Sequence, residues 1–318
     1  REWIVQGSIA EDITPRWINH FYDPIHQAGW TGDKTGNLSA ETVRKISEIG
    51  LSSESAVSSI DWVNNWSLQE RYHPYGGNRT WKKGLEYYAK GDKKQAYITL
   101  GDALHLVEDA TVPDHTRDDT HAEPVSGFTG DPGSPYEIYL EKWTRTTIKQ
   151  LDIPGTLQRE GKHAPERYAI EDYIKAAAEY SNRYFFSKDT IFDQKFSEPK
   201  VIESADGVAY GLDEAGEKFP LARLAKDYFN SKEVRYSLDK TEEYHAILDA
   251  YFNRLSKKAV LEGAGAIALF KKQAKDAEIN KDYALGGLVK YDIDAVPGLR
   301  IFTNGFSLAG AIGSLTSV

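Results

Sequence analysis

The stretch LGDALHLVEDATVPDH, residues 100–115, sets the reading of the whole chain, because it carries an apolar stripe and metal-ligand side chains on one element. Ala96, Leu100, Ala103, Leu104 and Val107 recur at three- and four-residue spacing, which predicts an amphipathic helix. His105 and Asp109 stand four apart, so they share a helix face with Cβ atoms about 6 Å apart, and both can reach one ion. Pro113 is expected to end the helix, leaving His115 and His121 on the loop beyond it. A lone histidine is most often a hydrogen-bonded interior residue. Three imidazoles with neighbouring carboxylates inside HLVEDATVPDHTRDDTH, residues 105–121, point instead to a nitrogen- and oxygen-liganded metal site.

Upstream, Trp81, Leu85, Tyr88 and Ala89 form a second stripe, separated from the first by Gly91 and Asp92, so two helices joined by a short turn are expected over 80–110. Downstream, the spacing predicts helices over 136–153, 166–186 and 243–274, with breaks at Pro154, Gly155 and the polar stretch 187–206. Strand-like alternation is confined to short pieces such as Gly207–Tyr210 and Leu299–Thr303. The expected fold is therefore all-α over residues 1–274, and the resemblance described below implies a multi-helix bundle with a metal cluster in a cleft. A C-terminal appendage is expected over 275–318, where glycines punctuate apolar residues. Residues 26–59, rich in Gly, Ser and Thr, read as a loop and a short helix.

The 318 residues are 40% hydrophobic and contain no Cys, which excludes disorder, a disulfide scaffold and any thiolate nucleophile or ligand. Forty-eight acidic against 39 basic residues give a charge of −9, so no stable nucleic-acid complex is expected. No apolar run approaches the roughly 20 residues of a membrane span. The chain starts at Arg1 and has no Met, so a removed N-terminal segment is expected, of which a signal peptide is the commonest kind.

Three segments together resemble the zinc-dependent bacterial phospholipases C, within the superfamily that also holds single-strand nucleases. LGDALHLVEDATVPDH looks like that family's central helix, HFYDP (His20–Pro24) like the segment with a further His ligand, and YEIYLEKW (Tyr136–Trp143) like the helix supplying a Glu ligand. The likeness extends through KGLEYYAKGDKKQAYITLGDALH and RLSKKAVLEGAGAIALF and covers much of residues 10–272. It implies a first metal group of Asp12, His20, His105 and Asp109, with Asp109 able to bridge, and a second of His115 and Glu137. Where the family has a His four residues before the Glu, this chain has Gly133; His121 is the expected substitute, with water or Glu141 as alternatives. The family's third ion uses the mature N-terminus and a nearby His, but no His precedes Asp12 here, so two or three zinc ions are expected.

The resemblance implies phosphodiester hydrolysis by a metal-activated water, most plainly cleavage of phospholipid head groups, with a peripheral membrane contact and a secreted or periplasmic location. Clustered zinc suits this chemistry because it stabilises non-bridging oxygens and lowers the pKa of bound water to about 7. Asp12 is the expected general base, Trp17 a head-group contact through its aromatic face, and Arg117 a phosphate contact. A nuclease or nucleotidase of the same fold is the nearest alternative; its Gly-Gly-Asn segment occurs here as Gly76-Gly77-Asn78, but before the helix rather than after it. A helical binding module with structural zinc is the other.

Overall fold

The computed structural model describes residues 1–13, 16–31, 56–73, 76–121, 133–141, 143, 145–191, 193–226, 234–237 and 245–284. Their helices are α1 (Glu2–Glu11), α2 (Ser59–Asn64), α3 (Trp66–Glu70), α4 (Trp81–Ala89), α5 (Lys93–Asp109), α6 (Pro113–Thr116), α7 (Pro135–Glu141), α8 (Arg145–Gln150), α9 (Ile153–Arg159), α10 (Ile170–Tyr184) and α11 (His245–Ala284). A 3₁₀ turn, Arg16–Asn19, follows α1. The chain is mostly helical, as expected, but not purely so. Four strands, β1 (Glu203–Ala205), β2 (Val208–Leu212), β3 (Lys218–Lys226) and β4 (Val234–Ser237), form an antiparallel sheet in sequential order. β2 matches the short alternation noted at 207–210; Leu299–Thr303 lies outside the described residues.

The α4–α5 pair forms where the two stripes predict it. Thr80 caps α4 by accepting from Lys83 N (3.3 Å), and Asp92 caps α5 by accepting from Gln95 N (3.1 Å). Gly91, at φ +87°, makes the turn between them. Leu100, Leu104 and Val107 of α5 are buried with Trp81, Leu85, Ile174, Ala177 and Phe270 in one core cluster. A second cluster, built on Tyr136, Phe185, Phe219, Tyr251 and Leu255, seats α11 against β3 and α7. There the Tyr251 hydroxyl donates to Leu221 O at 2.7 Å and accepts from Phe186 N at 3.2 Å.

Several helix boundaries differ from expectation: the one helix expected over 136–153 is the two helices α7 and α8, and Pro154 and Gly155, expected as a break, lie in the first turn of α9. Pro113 opens α6 rather than only closing α5, because a proline at the first helical position lacks an N–H that would go unpaired there anyway. The helix expected to stop at 274 continues to Ala284, so the start of the proposed appendage is helical; residues 285–318 lie outside the described residues, as does most of the 26–59 loop.

Helix α1 packs along α5 in unusually close backbone contact. A Cβ built on Gly101 would lie 2.0 Å from Ile4 O, and one on Gly7 would lie 1.8 Å from Ile98 O. Only hydrogen fits at either place, and this approach brings the end of α1 to the metal-ligand face of α5. Gly101→Ala is therefore expected to destabilise the protein by about 3 kcal/mol or more through overpacking. Urea unfolding checks this; a loss within about 0.5 kcal/mol would show that the two helices are not in this contact.

Candidate metal centre

The Asp109 carboxylate lies at the end of α5, and its Oδ2 faces three imidazoles. It is 2.7 Å from His20 Nδ1, 3.1 Å from His105 Nε2 and 3.6 Å from His115 Nδ1. His20 arrives on the segment after the 3₁₀ turn, His105 from one turn earlier on α5, and His115 from α6. Asp12, at the end of α1, brings Oδ1 to 4.0 Å from His105 Nε2 and keeps a side chain 66% exposed. Asp12, His20 and His105 thus form one three-residue group able to hold an ion.

His115, His121 and Glu137 form the other. His115 Nε2 is 3.1 Å from His121 Nε2 and 3.2 Å from Glu137 Oε1, and His121 Nε2 is 3.0 Å from Glu137 Oε2. Zinc at 2.0–2.1 Å from tetrahedral ligands separates those ligands by about 3.3 Å, so these separations are close to the edges of such a polyhedron. Behind the ligand atoms, His121 Nδ1 donates to Asp119 O at 2.9 Å, which leaves the Nε2 lone pair facing the group. His115 turns Nδ1 towards Asp109, and its ring stacks on Phe21 at 4.7 Å and 5°.

Hydrogen bonding satisfies the ligand atoms of this second group but leaves several atoms near Asp109 unpaired. His20 Nε2, His105 Nε2, Asp109 Oδ2 and His115 Nδ1 are all buried without a hydrogen-bond partner, because the close contacts lack hydrogen-bond alignment. Buried polar atoms are normally paired, so an orphaned Asp109 oxygen together with orphaned nitrogens of His20, His105 and His115 fits a cation. The donors are imidazole nitrogens and carboxylate oxygens, the set that zinc takes.

The electrostatics follow from burial. Burial pushes Asp109 up, but His105, His115 and His20 outweigh it and hold the carboxyl well below the usual range. Burial disfavours charge on His105, yet Asp109 overrides it, with Asp12 and Glu108 adding, and the imidazole moves up to about 10. Likewise burial opposes charge on His121 while Glu137 and Asp114 raise it well above the ordinary value.

Several residues that the sequence did not single out complete the site. Glu11, buried, accepts two bonds from Arg16 (2.9 and 2.7 Å) and one from Trp62 Nε1 (2.6 Å), and lies 3.8 Å from His20 Nε2. Arg16 also donates to Gly77 O at 3.1 Å, which gives the Gly-Gly-Asn segment a structural task away from the ligands. Ser134 accepts from Glu137 N at 3.3 Å and donates to Asp114 at 2.9 Å, tying α7 to α6. No sequence periodicity marks these contacts; only the Asp114–His115 adjacency hints at one. Gly133, at φ +80°, occupies left-handed backbone that disfavours a side-chain-bearing residue, and His121 fills the third corner instead. Glu141, the other alternative, falls in neither group among the described residues.

The two expected substrate contacts differ in exposure. Trp17 is half-buried in a small cluster with Ile18, Phe21 and Trp30. Arg117 does not present itself to a phosphate: it is 1% exposed and donates to Thr190 Oγ1 (2.6 Å), Asn182 O (2.8 Å) and Glu198 O (2.9 Å). It acts as an internal strut because its fork satisfies carbonyls that would otherwise be buried unpaired.

No protein-family model, curated protein or solved structure matches the chain, so motif and site geometry carry the functional argument.

Arg117→Ala should cost about 2–5 kcal/mol in urea unfolding, by taking the guanidinium donors from Asn182 O and Glu198 O; a neutral effect would return Arg117 to the surface. In metal-stripped protein, His105 contributes stability that is complete below the unfolded imidazole value of about 6.5 and is lost as pH rises towards about 10. Asp109 contributes stability present above the unfolded carboxyl value of about 3.9 and lost as pH falls through its depressed value. Zinc must displace the imidazole protons, so its stabilisation should be greater at about pH 8 than at about pH 6 in thermal melts. An equal increment at both would contradict imidazole ligation.

Proposed function

We propose that the chain is a zinc-dependent phosphodiesterase of the phospholipase C type, cleaving phospholipid head groups with water as nucleophile. The observation that carries this reading is the pair of three-residue ligand groups joined through Asp109, with buried nitrogen and oxygen atoms left unpaired between them. Bound zinc would neutralise the phosphate oxygens and acidify a water to a pKa near about 7.

The chain's own residues divide the remaining work. His20, His105 and Asp12 would hold one ion, and His115, His121 and Glu137 the other, with Asp109 between them. Asp12 is suited to accept the proton of the attacking water, since its carboxylate is exposed beside His105 while the other ligands are largely buried. Glu11, held by Arg16 and Trp62, sits behind His20 and fixes its placement.

Each group offers three ligand side chains among the described residues, with Asp109 shared between them, and a water in a remaining position would favour catalysis over the structural-zinc alternative. The net charge of −9 weighs against a nucleic-acid substrate. A phospholipid substrate entails peripheral contact with a lipid surface.

The test pairs metal analysis with hydrolysis of phosphatidylcholine vesicles, a phosphodiester dye ester and single-stranded DNA. His105→Ala and Asp109→Asn should each lower hydrolysis by more than about 100-fold and release zinc, since loss of a direct ligand exceeds the 10–100-fold effect of outer partners. Full activity in either variant would falsify the site; cleavage of DNA alone would transfer the chain to the nuclease branch.

A further inference from the structure

Between His115 and His121 every residue is buried, and the run is tied down by its side chains. Asp118 Oδ1 accepts from Thr31 N at 2.9 Å, and Asp119 Oδ2 accepts from Asp189 N at 2.9 Å. Thr120, next to His121, is held by Trp30, whose Nε1 donates to Thr120 Oγ1 at 2.7 Å with both residues buried. Both ends of the run carry candidate ligands, so its path sets the distance between them.

Trp30 reaches the same group by a second route. Its ring lies 6.5 Å from Phe21, and Phe21 stacks on His115 (4.7 Å, 5°) and lies against His121 (5.7 Å, 39°). His115 turns Nδ1 to Asp109 and Nε2 to His121 and Glu137, so the plane of its ring governs how the two ligand groups are spaced. An aromatic face packed on that ring restricts its rotation, and Trp30 backs the face. Residues that orient metal ligands in this way are worth about 10–100-fold in metal affinity.

Resting on the metal-centre reading, we propose that Trp30 is a positioning residue of the His115–His121–Glu137 group, acting on His121 through Thr120 and on His115 through Phe21. Its indole N–H fixes the end of the run where His121 stands, and its ring supports the face on which His115 lies. Loss of the N–H alone should therefore loosen this group and leave the Asp12–His20–His105 group as it is.

Zinc titration of chelator-stripped wild type, Trp30→Phe and Thr120→Val, followed by calorimetry and elemental analysis, tests this. Trp30→Phe keeps a ring beside Phe21 and removes the donor, Thr120→Val removes the acceptor, and Glu137→Gln marks which affinity belongs to the group. Each of the first two variants should hold that ion at least about tenfold more weakly and the other ion as the wild type does. The visible absorption of cobalt-loaded protein, which reports coordination geometry, should shift in the band that Glu137→Gln alters. Trp81→Phe, in the first core cluster, loses an equally short bond, 2.7 Å to Gln273 Oε1, and should lower the unfolding midpoint with both affinities unchanged. Should Trp30→Phe fail to fold, Thr120→Val decides alone. An unchanged affinity in either folded variant, equal weakening of both ions, or the same loss in Trp81→Phe would overturn the proposal. Wild-type protein that takes up no zinc would sink the metal-centre reading and the role of Trp30 with it; wild-type uptake with unaltered variants would sink Trp30 alone.

Discussion

A single carboxylate, Asp109 Oδ2, faces nitrogens of three imidazoles that come from three separate segments. Burying that charge is unfavourable unless cations or donors surround it, and removing one partner from such an arrangement typically costs about 3–5 kcal/mol. The elements around α5 are arranged to supply those partners. The glycine contact lets α1 run against α5 closely enough to bring Asp12 within 4.0 Å of His105. The 3₁₀ turn then places His20, and α6 returns His115 to the same oxygen.

Around that centre, buried polar groups set positions. Arg16 holds Glu11 behind His20, Ser134 links the helix of Glu137 to Asp114, and Asp119 O aims His121. Arg117 fastens the segment between His115 and His121 to α10 and to the chain near Thr190 and Glu198. Such partners act on geometry, since a ligand displaced by about 1 Å no longer closes a coordination polyhedron. The orphaned atoms lie inside this frame, which concentrates the unmet valence where a cation would sit.

Helices were the more legible part of the fold because their evidence is local. The stripes that predict α4 and α5 depend on spacing within a few residues, and the Gly91 turn has a backbone signature. The sheet was harder to read. β3 contains Pro220 and pairs β2 through a register shift at Ala209/Tyr210, so neither strand shows sustained alternation. Helix α1 escaped for a related reason: it buries Gly7, Ser8 and Glu11 rather than an apolar stripe, because its packing depends on close backbone approach. Arg117 reads as a phosphate contact in the sequence because sequence alone does not distinguish an exposed guanidinium from one satisfied by carbonyls.

The sequence by itself determined the chemistry on offer: no thiol, a net charge of −9, and a helix with His105 and Asp109 four apart, a relation set by the 3.6-residue turn. Tertiary structure decided the rest. It placed His121 rather than Glu141 beside His115 and Glu137, joined Asp12 to His105 across two helices, put Glu11 behind His20 and turned Arg117 inward. Those are contacts between segments distant in sequence, or outcomes of a loop's path, and their energies come from burial and desolvation that exist only once the chain has packed.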